Sequence, residues 1–417
     1  MRFLHLADVH LDTAFASRSR EIAAELRKAS RAAFEGAVET AVRERVDALL
    51  IAGDLFDGER LTVETEHFLH ETLSRLRTSG IQVVYATGNH DPGGAAGPAS
   101  LVRWPDNVSL IQGPEPVTVE ILREGEPVGL VTGVGHASAH VTDDLSRRFP
   151  LPHRGPPHVA LLHTQVRGSA GGEGHEPYAP SDLAHLSTAG YDYWALGHVH
   201  LRQTLSDDPP THYPGNPQGR NPRETGAKGA LLVDLSRKES PRVDFIELGP
   251  VRWETLRVKD FEGEGHVPAL ARRLEREWRA ARQNDAGRPG TRWIARIELE
   301  GPSPLHRQLA TGETLAELRD ALVSTVGLLD AEVRSSGVRS LERVEDYVRR
   351  DDVLGETLRL VRDLASSSGA SPAEALGLSR DLLATQVDAL QLDDYLRELL
   401  ASGDALLLDA LLRSADR

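Results

Sequence analysis

The sequence predicts an α/β fold built on a sheet that is at least partly parallel, followed by a small α/β module and a C-terminal helical segment. Two observations carry this. Residues 2–87 alternate short apolar runs of strand length with longer segments whose apolar residues recur at helical spacing, and this β-α-β-α-β order is the signature of helices packed on a parallel sheet. Beyond residue 108 the runs shorten and proline and glycine punctuate them, so strands dominate the second half of this region.

In chain order, residues 2–7 read as a short buried strand and residues 22–46 as a helix; DALLIAG at 47–53 is a second strand. An amphipathic helix over 63–78 leads to a third strand, QVVYAT, at 82–87. Further β runs follow near Val108 and at 117–122, 127–134, 159–163, 193–197, 228–234 and 242–248. Proline- and glycine-rich loops are expected at 150–157, 168–180 and 209–222. A boundary near 248–251 opens a second module with a strand, a helix over 267–283 and an alternating strand over 292–300, where Trp293, Ala295, Ile297 and Leu299 share one face. From about Leu341 the pattern is helical; Ser371-Pro372-Ala373-Glu374 joins a capping-box spacing to proline at the first helical position. The expected domains are therefore 1–248, 251–338 and 341–417.

The chain has 417 residues, and its 63 acidic against 48 basic residues give a net charge of -15. That balance excludes a generally basic nucleic-acid coat, so a polyanion would have to be met locally. Cysteine is absent, which removes disulfides, thiolate metal sites and cysteine nucleophiles together. No stretch approaches the ~18 to 20 apolar residues that span a bilayer, and the expectation is a cytoplasmic protein without a membrane association.

The apolar runs end in metal-binding residue types. The first ends in Asp8-Val9-His10, the second in Gly53-Asp54-Leu55-Phe56-Asp57, the third in Gly88-Asn89-His90-Asp91, and two more end in His163 and in Gly197-His198-Val199-His200. Read as a strand, His198 and His200 project to one side while Val199 faces away. Each residue alone has a plainer role as turn former, cap or core histidine. Ligands in open α/β sheets lie beyond the carboxyl ends of the strands, so five such ends in one chain point to a shared metal site. Asp8, His10, Asp54, Asn89, His163, His198 and His200 make seven donors. That is too many for a four-coordinate catalytic zinc with an open position, and it suits two ions about 3.5 to 4 Å apart with a bridging carboxylate. The mixed O/N set fits Mn²⁺, Fe²⁺ or Zn²⁺.

These motifs resemble the calcineurin-type metallophosphoesterase superfamily over residues 1–248. FLHLADVHLD, GDLFD and GNHD are similar to the nuclease subunits of bacterial SbcD-type DNA repair complexes, and YPGNPQGRNPRETGAKG at 213–229 is similar to their YhaO branch. The resemblance implies a two-sheet sandwich flanked by helices. It also implies a cap formed by the second module and a C-terminal segment that docks an SMC-like coiled-coil ATPase, with a homodimer as a further possibility. It assigns Asp8, His10 and His200 to one ion, Asn89, His163 and His198 to the other, and Asp54 to both, with Mn²⁺ the expected metal. His90 would contact the phosphate and donate a proton to the leaving oxygen, with Asp91 holding its ring. Asp57, where archaeal and eukaryotic relatives tend to have histidine, is expected to be an orienting carboxylate. Arg220 and Arg223 are candidates for contacts to neighbouring phosphates, or else exposed loop arginines.

Three functions follow as expectations: a metal-dependent DNA nuclease of a repair complex, a phosphoesterase for small or cyclic nucleotides, and a catalytically silent scaffold. The complete donor set argues against the third. The long region after residue 248 favours the first over the second.

Overall fold

In a computed structural model of the chain, residues 1–57, 61–94, 97–153, 155–170, 178–236, 239–283, 285, 287–341 and 344–366 are described, with a few isolated positions beyond. The proposed helix start at 371–374 and the leucine-rich terminus lie largely outside the described residues.

The strands are β1 (Arg2–Leu6), β2 (Ala48–Ala52), β3 (Gln82–Ala86), β4 (Val108–Ile111), β5 (Val117–Arg123), β6 (Glu126–Val134), β7 (His158–His163), β8 (Tyr193–Gly197), β9 (Gln203–Asp207), β10 (Pro210–Tyr213), β11 (Gly229–Asp234) and β12 (Arg242–Glu247). They form two six-stranded sheets, ordered β12-β11-β1-β2-β3-β4 and β5-β6-β7-β8-β10-β9. β1 to β4 are parallel, and so are β6, β7, β8 and β10, while antiparallel strands close the remaining edges. The fold is thus a mixed α/β sandwich.

Helices α1 (Arg20–Arg43) and α2 (Val63–Thr78) start where Ser19 and Thr62 accept hydrogen bonds from the amides of Ile22 and Thr65. Their apolar faces, including Phe34, Val38, Leu69 and Leu73, join Leu4, Leu49 and Val83 in the core outside the first sheet. Between the sheets, Phe3, Leu50 and Val84 meet Val131, Leu161 and Tyr193. Successive residues of β1 and β2 therefore enter different cores, which is why these strands read as unbroken apolar runs rather than as alternation.

One expected loop contains a strand. β10 lies inside the proline-rich stretch 209–222, paired with β8 on one side and β9 on the other. Proline is tolerated there because Pro210 is the first residue of the strand, where a missing N–H costs least.

The chain divides into two compact units: Met1–Glu254 with Ala286–Ile294, and Thr255–Asp285 with Ala295–Arg417. Residues just past the expected boundary are held in the first unit by buried groups. The Val251 amide donates to Gln218 Oε1 at 3.1 Å, and Trp253 Nε1 donates to the Gly219 carbonyl at 2.9 Å. A three-stranded sheet follows, ordered β13 (Val251–Val258), β14 (Arg292–Pro302) and β15 (Asp330–Arg339). In the second unit the helices Val267–Ala281 and Gly312–Leu322 pack together, and Val344–Val348 packs on Val353–Ser366. No helix among the described residues is long and apolar enough to cross a membrane.

Candidate metal centre

Parallel pairing brings the carboxyl ends of β1, β2 and β3 side by side, and the facing sheet adds the ends of β7 and β8. Backbone bonds continue past the first strands: the Asp8 amide donates to the Gly53 carbonyl at 3.2 Å and the His10 amide to the Asp54 carbonyl at 3.0 Å. The chain turns sharply here. Asp8, His10, Asp54 and His198 have φ of 54°, 49°, 51° and 102°, the left-handed region that non-glycine residues seldom adopt. Such conformations cost of order 1–3 kcal/mol each and collect at functional sites. Glycine is required at two neighbouring positions: a Cβ on Gly53 would strike the His163 ring, and one on Gly88 would strike the Asp54 carboxylate.

All seven expected donors converge. The Asp54 Oδ2 atom lies 3.6 Å from His10 Nε2 and 3.5 Å from His163 Nε2, between two groups of side chains. On one side His200 Nε2 is 3.1 Å from His10 Nε2 and 3.9 Å from Asp8 Oδ1. On the other, Asn89 Oδ1 is 2.9 Å from His163 Nε2 and 3.1 Å from His198 Nδ1. Asp8, His10 and His200 form one group able to hold a metal ion; Asp8, Asp54 and His163 form another.

His198 and His200 reach these two sides by a route other than strand alternation. β8 stops at Gly197, and the positive φ of His198 turns the chain, so both histidines sit in the following loop. Val199 does face away, into the core with Leu162 and Trp194.

The donor chemistry fits a cation. His163 Nδ1 lies 2.9 Å from the Ala52 carbonyl and His200 Nδ1 lies 2.8 Å from a carboxylate oxygen of Glu224. An acceptor at Nδ1 fixes the proton there and leaves the Nε2 lone pair facing the site. Burial pushes the Asp8 and Asp54 carboxyls up to about 7, the former offset in part by His200 and the latter reinforced by Asp91, and burial holds His10 and His163 well below the ordinary histidine range. Neutral imidazoles and carboxylates short of positive charge are what a divalent cation complements.

The structure corrects the partner expected for His90. Its Nδ1 lies 2.6 Å from Asp57 Oδ1, not on Asp91. That bond raises the His90 pKa despite opposing burial. Burial opposes ionisation of Asp57, but the His10 ring 3.8 Å away, the hydrogen bond from His90 and the Arg220 charge together hold its carboxyl far below the usual range. Asp57 Oδ2 also receives Thr13 Oγ1 at 3.0 Å and Arg220 Nη2 at 3.2 Å. Arg220 Nε and Nη1 are buried without a hydrogen-bond partner. Arg223 is exposed, and its amide donates to Asn221 within the loop.

Asp91 instead ties two loops together. Its fully buried carboxylate accepts from the amides of Asp54 at 3.2 Å and Gly88 at 2.6 Å, from the Leu55 amide, and from the Tyr85 hydroxyl. Asp91→Ala should therefore cost roughly 3 kcal/mol or more, because each orphaned buried donor costs about 1–3 kcal/mol. Urea unfolding of the metal-free proteins checks it; a loss under 1 kcal/mol, of the order expected at an ordinary surface site, would show that Asp91 does not brace the loops.

Sequence reasoning missed two residues. Glu224 holds His200, and His136, fully buried, lies with Nε2 2.7 Å from the His163 carbonyl. His136 follows the end of β6 by two residues, as Asp8 follows β1, so its strand-end position was a signal that was passed over, and Glu224 lies within the stretch 213–229 already singled out.

The calcineurin-like phosphoesterase family matches residues 1–202, and the middle domain of the metallophosphoesterase YhaO matches residues 253–350. The chain is 33% identical over 326 residues to an uncharacterized metallophosphoesterase, YhaO, of Bacillus subtilis, which covers 77% of this chain and 77% of that one. It is 30% identical over 301 residues to the DNA double-strand break repair protein Mre11 of Methanopyrus kandleri, covering 66% of this chain and 63% of the relative. It is 28% identical over 287 residues to one of the subunits of the nuclease SbcCD of Rhodobacter capsulatus, covering 58% of this chain and 68% of the relative.

Proposed function

This chain belongs to the calcineurin-like metallophosphoesterase family, and from that premise we propose that it is a two-metal DNA phosphodiesterase, a nuclease acting in DNA repair. The observation that carries the reading is the placement of Asp54 between two sets of lone-pair donors, with His90, Asp57 and Arg220 beside them.

Asp8, His10 and His200 would hold one ion, Asn89, His163 and His198 the other, and Asp54 would serve both. Divalent cations bound there, Mn²⁺ by this reading, supply Lewis acidity toward phosphodiester oxygens and acidify a water for in-line attack. His90, 42% exposed at its side chain, is accessible to substrate, and it would give its proton to the leaving oxygen. Asp57 orients the His90 ring and the Arg220 guanidinium together. Arg220, its side chain 18% exposed and its Nη2 held by Asp57, would place its positive charge beside a phosphate bound at His90. Arg223, exposed further along that loop, would contact a neighbouring phosphate.

DNA as substrate is supported by the relatives named for double-strand break repair and for the nuclease SbcCD. The name of one relative, a subunit of the nuclease SbcCD, supports work with a partner subunit; by our reading residues 251–338 would help select a polymer substrate and residues 341–417 would dock an SMC-like coiled-coil ATPase in the cytoplasm.

The test is cleavage by the purified full-length chain with Mn²⁺ and with EDTA, on single- and double-stranded DNA, bis-p-nitrophenyl phosphate and a panel of nucleotides. Mn²⁺-dependent degradation of DNA is the expected result. Hydrolysis of the nucleotides with DNA left intact would sink the nuclease reading in favour of a small-substrate phosphoesterase.

A further inference from the structure

Glu224 gathers four donors onto one carboxylate. Oε1 lies 2.8 Å from His200 Nδ1 and accepts from Asn221 Nδ2 at 2.7 Å; Oε2 accepts from the Arg220 amide at 2.7 Å and from Asn216 Nδ2 at 2.6 Å. These contacts use the four lone-pair sites an ionised carboxylate has, and the side chain is only 10% exposed. We propose that Glu224 is a positioning residue that locks the His200 ring and the loop bearing Arg220 into one unit, so that the geometry at one cation and the grip on the phosphate are set together.

The connections on either side make the unit rigid. The His200 carbonyl accepts from Lys228 Nζ at 3.0 Å, so both the ring and the backbone of His200 are held by the segment after β10. Asn216 Nδ2 also donates to the Gln218 carbonyl at 2.8 Å, and Gln218 Nε2 donates to the Val251 carbonyl at 2.7 Å, which anchors the loop in the core. From that loop Arg220 reaches Asp57, the residue that orients His90. Glu224 thus stands at the junction of two chains of contact, one ending at a metal-capable imidazole and the other at the proposed acid. A carboxylate is needed for this, since a carboxamide would turn an NH₂ group toward donors on one of its two sides.

The inference rests on the two-cation reading for the role of His200. The experiment is Mn²⁺ binding by the full-length protein, followed by calorimetry and electron paramagnetic resonance, with KM for DNA measured beside it. Glu224→Gln should weaken one of two ions by about 10–100-fold, the range typical of ligand-orienting partners, leave the other unchanged, and raise KM. Two ions bound as in the wild type, or an equal weakening of both, would overturn the proposal while leaving the two-cation reading standing. A wild-type protein that binds no Mn²⁺ would overturn both. If Glu224→Gln fails to fold, the ¹⁵N resonances of His200 in the metal-free wild type decide, assigned by their loss in His200→Gln. A proton on Nδ1 is expected, and a proton on Nε2 alone overturns the proposal.

Discussion

Asp54→Asn is expected to empty both halves of the metal centre and abolish hydrolysis, while the metal-free variant folds at least as stably as the wild type. Asp54 Oδ1 is committed to the His90 amide at 2.9 Å, so the amide oxygen of asparagine would stay there. The NH₂ group would then take the place of Oδ2, which faces His10 and His163. A donor cannot bind a cation, and one negative charge is lost between the two sets of ligands. The loss of affinity should exceed the ~10–100-fold seen when a ligand's supporting partner is removed, and it should affect both ions. His200→Ala should weaken chiefly the ion on its own side. Metal content by emission spectroscopy at matched free Mn²⁺ measures both variants, and full occupancy in Asp54→Asn would end the bridging assignment. Stability moves the other way because Asp54 is 2% exposed and burial already pushes its carboxyl up to about 7. Replacing a poorly compensated buried acid by a neutral isostere removes a cost when no cation is bound.

His90→Ala should keep its metal and most of its affinity for substrate and lose turnover by roughly 10²–10⁴-fold, the usual contribution of a positioned general acid. The ring is more exposed than those of His200, His10 and His163, at 42% against 26%, 0% and 0%, as a group that meets substrate requires. The geometry also allows a competing role, because His10, Asp57 and His90 themselves form a group able to hold an ion. The two roles separate in one pair of measurements. A fall in kcat at constant KM and constant metal content identifies the acid. A loss of metal equal to that in His200→Ala identifies a ligand instead.

Much of the fold and the location of the site were legible in the sequence. The helix expected over 63–78 is the helix observed, and the first three apolar runs became neighbouring parallel strands. These features depend on local periodicity and capping, which each segment carries within itself. The convergence of donors was legible for a related reason: parallel strands share a polarity, so residues at their carboxyl ends must share an edge. Absence of cysteine by itself limits the donors to nitrogen and oxygen.

Pairings between side chains were not legible. Adjacency in GNHD suggested Asp91 for His90, yet the tight turn at Gly88 directs Asp91 back onto the amides beneath it, and Asp57, 33 residues away, takes the imidazole. Glu224 meets His200 across 24 residues, and Arg220 meets Asp57 across 163, with no spacing rule to announce either. The strand β10 was hidden by its prolines because its partners, β8 and β9, supply the pairing that composition argued against. The sequence by itself determined which segments are strands and helices and which residue types crowd one edge, since those depend on short-range backbone preference and burial. Only the tertiary structure decided which carboxylate holds which imidazole, since hydrogen bonds of 2.6–2.8 Å depend on loop paths set by the packing of two sheets.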